Sequence, residues 1–90
     1  MTIKERFAHN LRSARQGVGL TQEELAMMTE MHRTEISLLE NAKRTPRLDT
    51  LVKLVRALDC PADELIEGLH WRSNFKTYGC WEITDPGVRL

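Results

Sequence analysis

Apolar residues recur through the first part of the chain at helical spacing. Ile3, Phe7, Leu11 and Ala14 follow one another at intervals of four, four and three, one stripe of an amphipathic helix. Thr2 stands where it caps that helix, with Glu5 completing a capping box, and Gly17 and Gly19 end it. Thr21 and Glu24 repeat the arrangement and open a second helix, which buries Leu25 and Ala26 and stops near Thr29. A third helix begins at His32 or Arg33 and runs to about Asn41. In LDTLVKLVRALD, Leu48, Leu51, Leu54, Val55 and Leu58 share one face, the strongest helical periodicity in the chain. Pro61 suits the first position of a fifth, short helix, PADELIEG, with Leu65 and Ile66 turned inward and Gly68 ending it.

The pattern changes after that. Trp71, Phe75, Tyr78 and Trp81 are four of the five aromatic residues, and CWEIT alternates before the turn signal DPG. This predicts a short strand over 79–84. A lone strand leaves its own backbone unsatisfied, so it requires a partner, such as the same strand of a second copy. The expected architecture is a compact, all-α, five-helix body over residues 1–68. An aromatic extension over 69–90 follows it, with a strand used in dimerisation.

Composition narrows the function classes. Ninety residues make one domain, and 41% hydrophobic with 29% charged residues is ordinary for a folded soluble chain. No apolar run approaches the ~18 residues of a membrane span. The amino terminus lacks a signal peptide's apolar block, so the expected location is the cytoplasm. Cys60 and Cys80 form no CxxC pair and read as reduced thiols; His9, His32 and His70 are scattered, with no metal-ligand spacing. No Gly-rich phosphate loop, HExxH or GxSxG is present, so neither a cofactor nor an enzymatic activity is expected. The formal net charge is zero, but it is unevenly placed. Residues 1–58 hold ten Lys/Arg against seven Asp/Glu, and residues 59–90 hold three against six. Such a split is a weak pointer to a polyanion on one side.

Three segments in order, LTQEELA (20–26), HRTEISLLE (32–40) and KRTPRLDTLVKLVRAL (43–58), resemble the Cro and lambda-repressor type of helix-turn-helix protein, the XRE family. The likeness covers roughly residues 5–67 and implies a lambda-repressor-like fold, double-stranded DNA as partner, and a homodimeric transcriptional regulator with a palindromic operator. On a helical wheel, Ile36, Leu39 and Glu40 share the inner face of the third helix, while Thr34, Ser37, Leu38 and Asn41 lie opposite, with Arg33 and Glu35 on the flanks. An inward Glu40 needs a cation, and the resemblance implies that Arg15 supplies it.

The outer face divides into positioning and reading. The resemblance assigns Thr21 and Gln22, at the start of the second helix, to a DNA phosphate. His32 caps the third helix or touches a phosphate, and Lys43 and Arg44 are further phosphate contacts. Arg33, Thr34, Ser37 and Leu38 are the base-reading candidates. Leu38 either meets a thymine methyl or is a singly exposed apolar residue. Glu35 either accepts from a cytosine, stands off the phosphates, or pairs with Arg33 or another nearby base and orients it. Two positions depart from the family: Glu30 and Ala42 stand where glycine is usual. If either needs positive φ, its side chain costs on the order of 1 kcal/mol. Met27 and Met28 also replace common polar residues.

The expected dimer surface comprises Leu65, Ile66, Leu69, Trp71, Trp81 and Ile83, with a protein partner on the extension as the alternative. Within the family, a restriction–modification controller and a toxin–antitoxin antitoxin are the other roles. Outside it stands an interaction module that has lost DNA binding.

Overall fold

The computed structural model describes residues 1–74, 76 and 78–87; Phe75 lies outside them. Five helices precede a two-stranded antiparallel sheet, in the order α1 (Ile3–Gly17), α2 (Gln22–Thr29), α3 (Arg33–Glu40), α4 (Leu48–Leu58), α5 (Ala62–Leu65), β1 (Leu69–Arg72) and β2 (Cys80–Ile83). Both capping boxes form. Glu5 N donates to Thr2 Oγ1 at 3.1 Å while Thr2 N donates to Glu5 Oε1 at 3.0 Å, and Thr21 and Glu24 repeat the pair at the same distances. The bonds from each cap's backbone and hydroxyl hold the Glu5 and Glu24 carboxyls below the usual range.

Every helix contributes to one core. Phe7 and Leu11 of α1, Leu25 of α2, Ile36 and Leu39 of α3, Leu54 and Leu58 of α4 and Leu65 of α5 are at most 2% exposed. Helix α1 packs on α3 and α5, α2 on α3 and α4, and α4 on α5. Two expected core positions and one helix start differ. Leu48 is the first residue of α4 and stays 77% exposed, because the core is reached a turn later. Pro61 lies just outside α5 as its cap, and the helix is one turn long, so Ile66 falls beyond it on the surface.

The strand within 79–84 forms, as β2, but its partner belongs to the same chain. Segment β1 pairs with it in the register Leu69↔Ile83, His70↔Glu82, Trp71↔Trp81 and Arg72↔Cys80. Alternation then sorts the ribbon into two faces. Leu69, Trp71, Trp81 and Ile83 form an apolar face, while His70, Arg72, Cys80 and Glu82 form a polar one, where Arg72 Nε meets Glu82 Oε1 at 2.6 Å. The two indoles pack edge to face with centroids 5.4 Å apart. Gly79 makes room for this, since a Cβ there would lie 2.5 Å from Trp71 Cζ2.

The ribbon joins the body at a polar hinge that hydrophobic patterning does not predict. Arg6 and Asn10 are buried on α1. Asn10 Nδ2 donates to the carbonyls of Leu65 (3.0 Å) and Glu67 (2.8 Å), and Arg6 Nε donates to Glu67 O at 2.9 Å. At Gly68, φ is +83°, and an added Cβ would collide with Arg6 Nε and sit 2.9 Å from Thr84 O. Thr84 N closes the joint on Gly68 O at 2.9 Å.

Candidate nucleic-acid interface

Helices α2 and α3 are short, and three residues separate them as a tight link. Glu30 turns that link with φ +55°, and Ala42 turns the chain out of α3 with φ +59°. Both therefore adopt the left-handed conformation that glycine adopts freely. The link lets α2 brace α3 from one side while Ile36 and Leu39 anchor it in the core.

The inner face of α3 ends in a buried carboxylate, and four bonds hold it. Arg15 Nε donates to Glu40 Oε2 at 2.6 Å and Arg15 Nη2 to Oε1 at 2.9 Å. Gln22 Nε2 adds a third bond at 3.2 Å and Arg12 Nε a fourth, longer one at 3.4 Å. The Glu40 side chain is fully buried and that of Arg15 is 11% exposed, so the pair is shielded from water. Burial pushes the Glu40 carboxyl up; bonds from Arg15 and Gln22 and the guanidinium charges outweigh it, and the group ends below the usual carboxylate range. Arg15 is correspondingly raised by its bond to Glu40. Because Arg15 Nη1 also donates to Leu20 O at 2.8 Å, one side chain ties α1, the start of α2 and the end of α3 together.

The outer face presents a different set. Arg33 and Thr34 are exposed, and Ser37 and Leu38 are half-buried. Ser37 Oγ accepts from Asn41 Nδ2 at 3.0 Å. His32 precedes α3 but makes no side-chain cap bond. Lys43 and Arg44 are exposed in the loop that follows, with Arg47 close behind. At the start of α2, Thr21 is not free to donate: its N–H is taken by Glu24. The open donors there are the N–H groups of Gln22 and Glu23, the orphan pair of the first turn. The Gln22 side chain commits one amide proton to Glu40 and keeps a second.

Among the described residues, the carboxylate that meets Arg33 is not that of Glu35. Arg33 Nε pairs instead with Glu23 Oε1, across the two helices, at 2.9 Å, with both side chains more than half exposed. Glu35 turns aside into a cavity of about 390 Å³, shared with Arg44, Arg47, Asp49 and Lys53. Sequence reasoning missed both Glu23 and Arg12. Each meets its partner across helices ten or more positions away, so no local pattern announces it.

The residues expected at a dimer surface separate. Leu65 is fully buried in the core and is unavailable to a second copy. Ile66, Trp71 and Trp81 are 43%, 55% and 53% exposed, and Leu69 and Ile83 are half-buried on the same apolar face of the ribbon. Among the described residues, no helix is long and apolar enough to cross a membrane.

Known proteins share this arrangement. Residues 11–65 match the helix-turn-helix family HTH_3. Control protein C.SmaI of Serratia marcescens is 41% identical over 66 residues, which span 73% of this chain and 79% of that protein. The restriction–modification controller protein C.AhdI of Aeromonas hydrophila superimposes with a TM-score of 0.66 and 34% identity, covering 69% of this chain and 94% of that one. The P22 c2 repressor, solved in complex with a synthetic operator, superimposes with a TM-score of 0.64 and 27% identity over the same two shares. The likeness lies in the helical body, where α2 and α3 are set against one core, and on it the chain belongs to the helix-turn-helix family of Cro and lambda-repressor type.

Proposed function

We propose that the protein is a sequence-specific, homodimeric DNA-binding transcriptional regulator, without enzymatic activity, that works in the cytoplasm and lays α3 in the major groove of a palindromic operator. The observation that carries this reading is the division of α3. Its inner face is fixed by Ile36, Leu39 and the buried Glu40, while Arg33, Thr34, Ser37 and Leu38 lie on the other side. Arg33 reads a guanine, and its exposed pair with Glu23 is an ion pair of a kind worth no more than about 1 kcal/mol, which DNA can displace. Thr34 and Leu38 meet base edges and a thymine methyl. Lys43, Arg44, His32 and the open start of α2 at Gln22 hold phosphates. Two copies meet through the apolar face of the ribbon and Ile66, presenting their α3 helices about one DNA turn (~34 Å) apart.

Within this class, a restriction–modification controller is the role favoured by the likeness to C.SmaI and C.AhdI. Selection from random DNA should return an inverted repeat. On that site, Arg33→Ala should weaken binding by about 5–150-fold and relax preference at one base pair. Lys43→Ala should instead weaken every sequence alike and flatten the salt dependence by about one unit. No binding at low salt overturns the reading. Sedimentation tests the dimer surface: residues 1–68 alone should dimerise more weakly than the full chain.

A further inference from the structure

A groove of about 660 Å³ lies between α1 and the base of the ribbon, apart from the helix-turn-helix. Arg6, His9 and Ser13 line its α1 side. By helical spacing these residues lie away from the edge of α1 that carries Arg12 and Arg15 to Glu40. Glu64 and Glu67 stand on the α5 side, and Val18 and Pro86 give it an apolar wall.

The anomaly here is Arg6. The residue is 5% exposed, and among the described residues no carboxylate pairs with it. Its Nε is engaged by the Glu67 carbonyl, yet Nη1 is buried and donates to nothing. A guanidinium is almost never buried this far without a counter-charge, because its lost hydration is uncompensated. Glu67 offers its backbone to Arg6 and leaves its side chain exposed.

We propose that this groove binds a small organic carboxylate. Its carboxylate meets the Arg6 guanidinium where that side chain lines the groove, and its apolar body lies along Pro86. The groove has more than enough room for such a molecule. The charge pattern selects the class: the buried Arg6 acts in a low dielectric and dominates one anionic group, whereas Glu64 and Glu67 repel a second. A monocarboxylate therefore fits and a phosphate dianion does not. Because Pro86 and Gly87 follow the ribbon directly and line the same groove, the ligand braces the ribbon against α1.

The test is thermal unfolding of the full chain, with chloride replaced at constant ionic strength by butanoate, benzoate or phosphate. Butanoate or benzoate should raise Tm saturably, by about 6–11 °C at ten times the dissociation constant, and phosphate should not. Arg6→Gln should abolish the response. Since Arg6 also holds Glu67 O and its loss can unfold the chain, a second variant decides independently. His9→Glu places a carboxylate one helical turn from Arg6 on an exposed position, and should remove the response while the helices remain. No saturable rise in the unaltered protein, an equal rise with phosphate, or a response retained in His9→Glu overturns the proposal.

Discussion

The helical body and the segment that carries the ribbon have similar shares of apolar residues, but they use them differently. In the body, five helices converge until eight large side chains are almost completely enclosed. In the ribbon, neither β1 nor β2 buries a residue, and both tryptophans keep more than half their surface exposed. A two-stranded ribbon is marginal alone. This one is held in place by polar bonds at its base, from Arg6, Asn10 and Thr84, and by the indole pair above. The body thus encloses its own core, and the ribbon is attached at its base with an apolar face left open.

The sharpest way to break that comparison is to truncate one large side chain on each side. Leu54→Ala removes a fully buried leucine from the centre of the body and should cost about 3 kcal/mol. Trp81→Ala removes a larger group but should lower the stability of the helices by less than about 1 kcal/mol, because most of that ring already faces water. Urea unfolding followed by helical circular dichroism measures both. Equal losses would make the ribbon part of the core.

The next effect separates two ways of tying elements together. Glu40 locks α1, α2 and α3 through charge, where the ribbon joint uses backbone carbonyls. Glu40→Gln should cost about 2 kcal/mol near neutral pH, the scale of a charge-assisted bond lost from a shielded site. Since the folded carboxyl lies below its ordinary value, the unfolded chain binds the proton more readily. This stability is present above the unfolded pKa, about 4.5, and is lost as pH falls through the folded one. Unfolding measured from pH 7 downward should show the native protein and Glu40→Gln converging on the acid side. A constant gap at every pH would show that packing, not charge, holds the lock.

What was legible beforehand follows the same division. Capping residues and 3.6-residue periodicity act within one element, so helix starts at Thr2 and Thr21 and the inner residues Ile36 and Leu39 could be read from the pattern. The ion pair of Arg15 with Glu40 came from family resemblance, since its partners are 25 positions apart. Family resemblance stops before the ribbon. Strand β2 could be read from alternation; LHWR alternates too, but seven residues part it from β2, too many for a tight-turn signal to announce the hairpin. The burial of Arg6 and Asn10 was invisible for a related reason: both answer carbonyls more than fifty residues away. The aim of Glu35, turned from α3 into the cavity beside Arg44, depends on how α4 is placed.

The smallest effect concerns the two turns that set α3 within the body. Ala42 and Glu30 hold φ near +59° and +55°. An L side chain in that region costs roughly 1–2 kcal/mol from the approach of Cβ to the following carbonyl. Glycine avoids this cost but loses more backbone freedom on folding, by about 0.5–1 kcal/mol. The balance favours glycine slightly. Ala42→Gly should therefore stabilise the body by about 0.5 kcal/mol, a shift of roughly 2–4 °C in Tm. Glu30→Gly should do the same, with a further change in DNA affinity because a carboxylate leaves the edge of the reading face. Asp59 provides the internal control. Its φ of +50° is just as positive, but aspartate tolerates the left-handed region better than alanine does, so Asp59→Gly should gain less than Ala42→Gly. If Ala42→Gly destabilises instead, entropy outweighs strain at this turn, and the departure from glycine on either side of α3 is a stabilising choice and not a tolerated one.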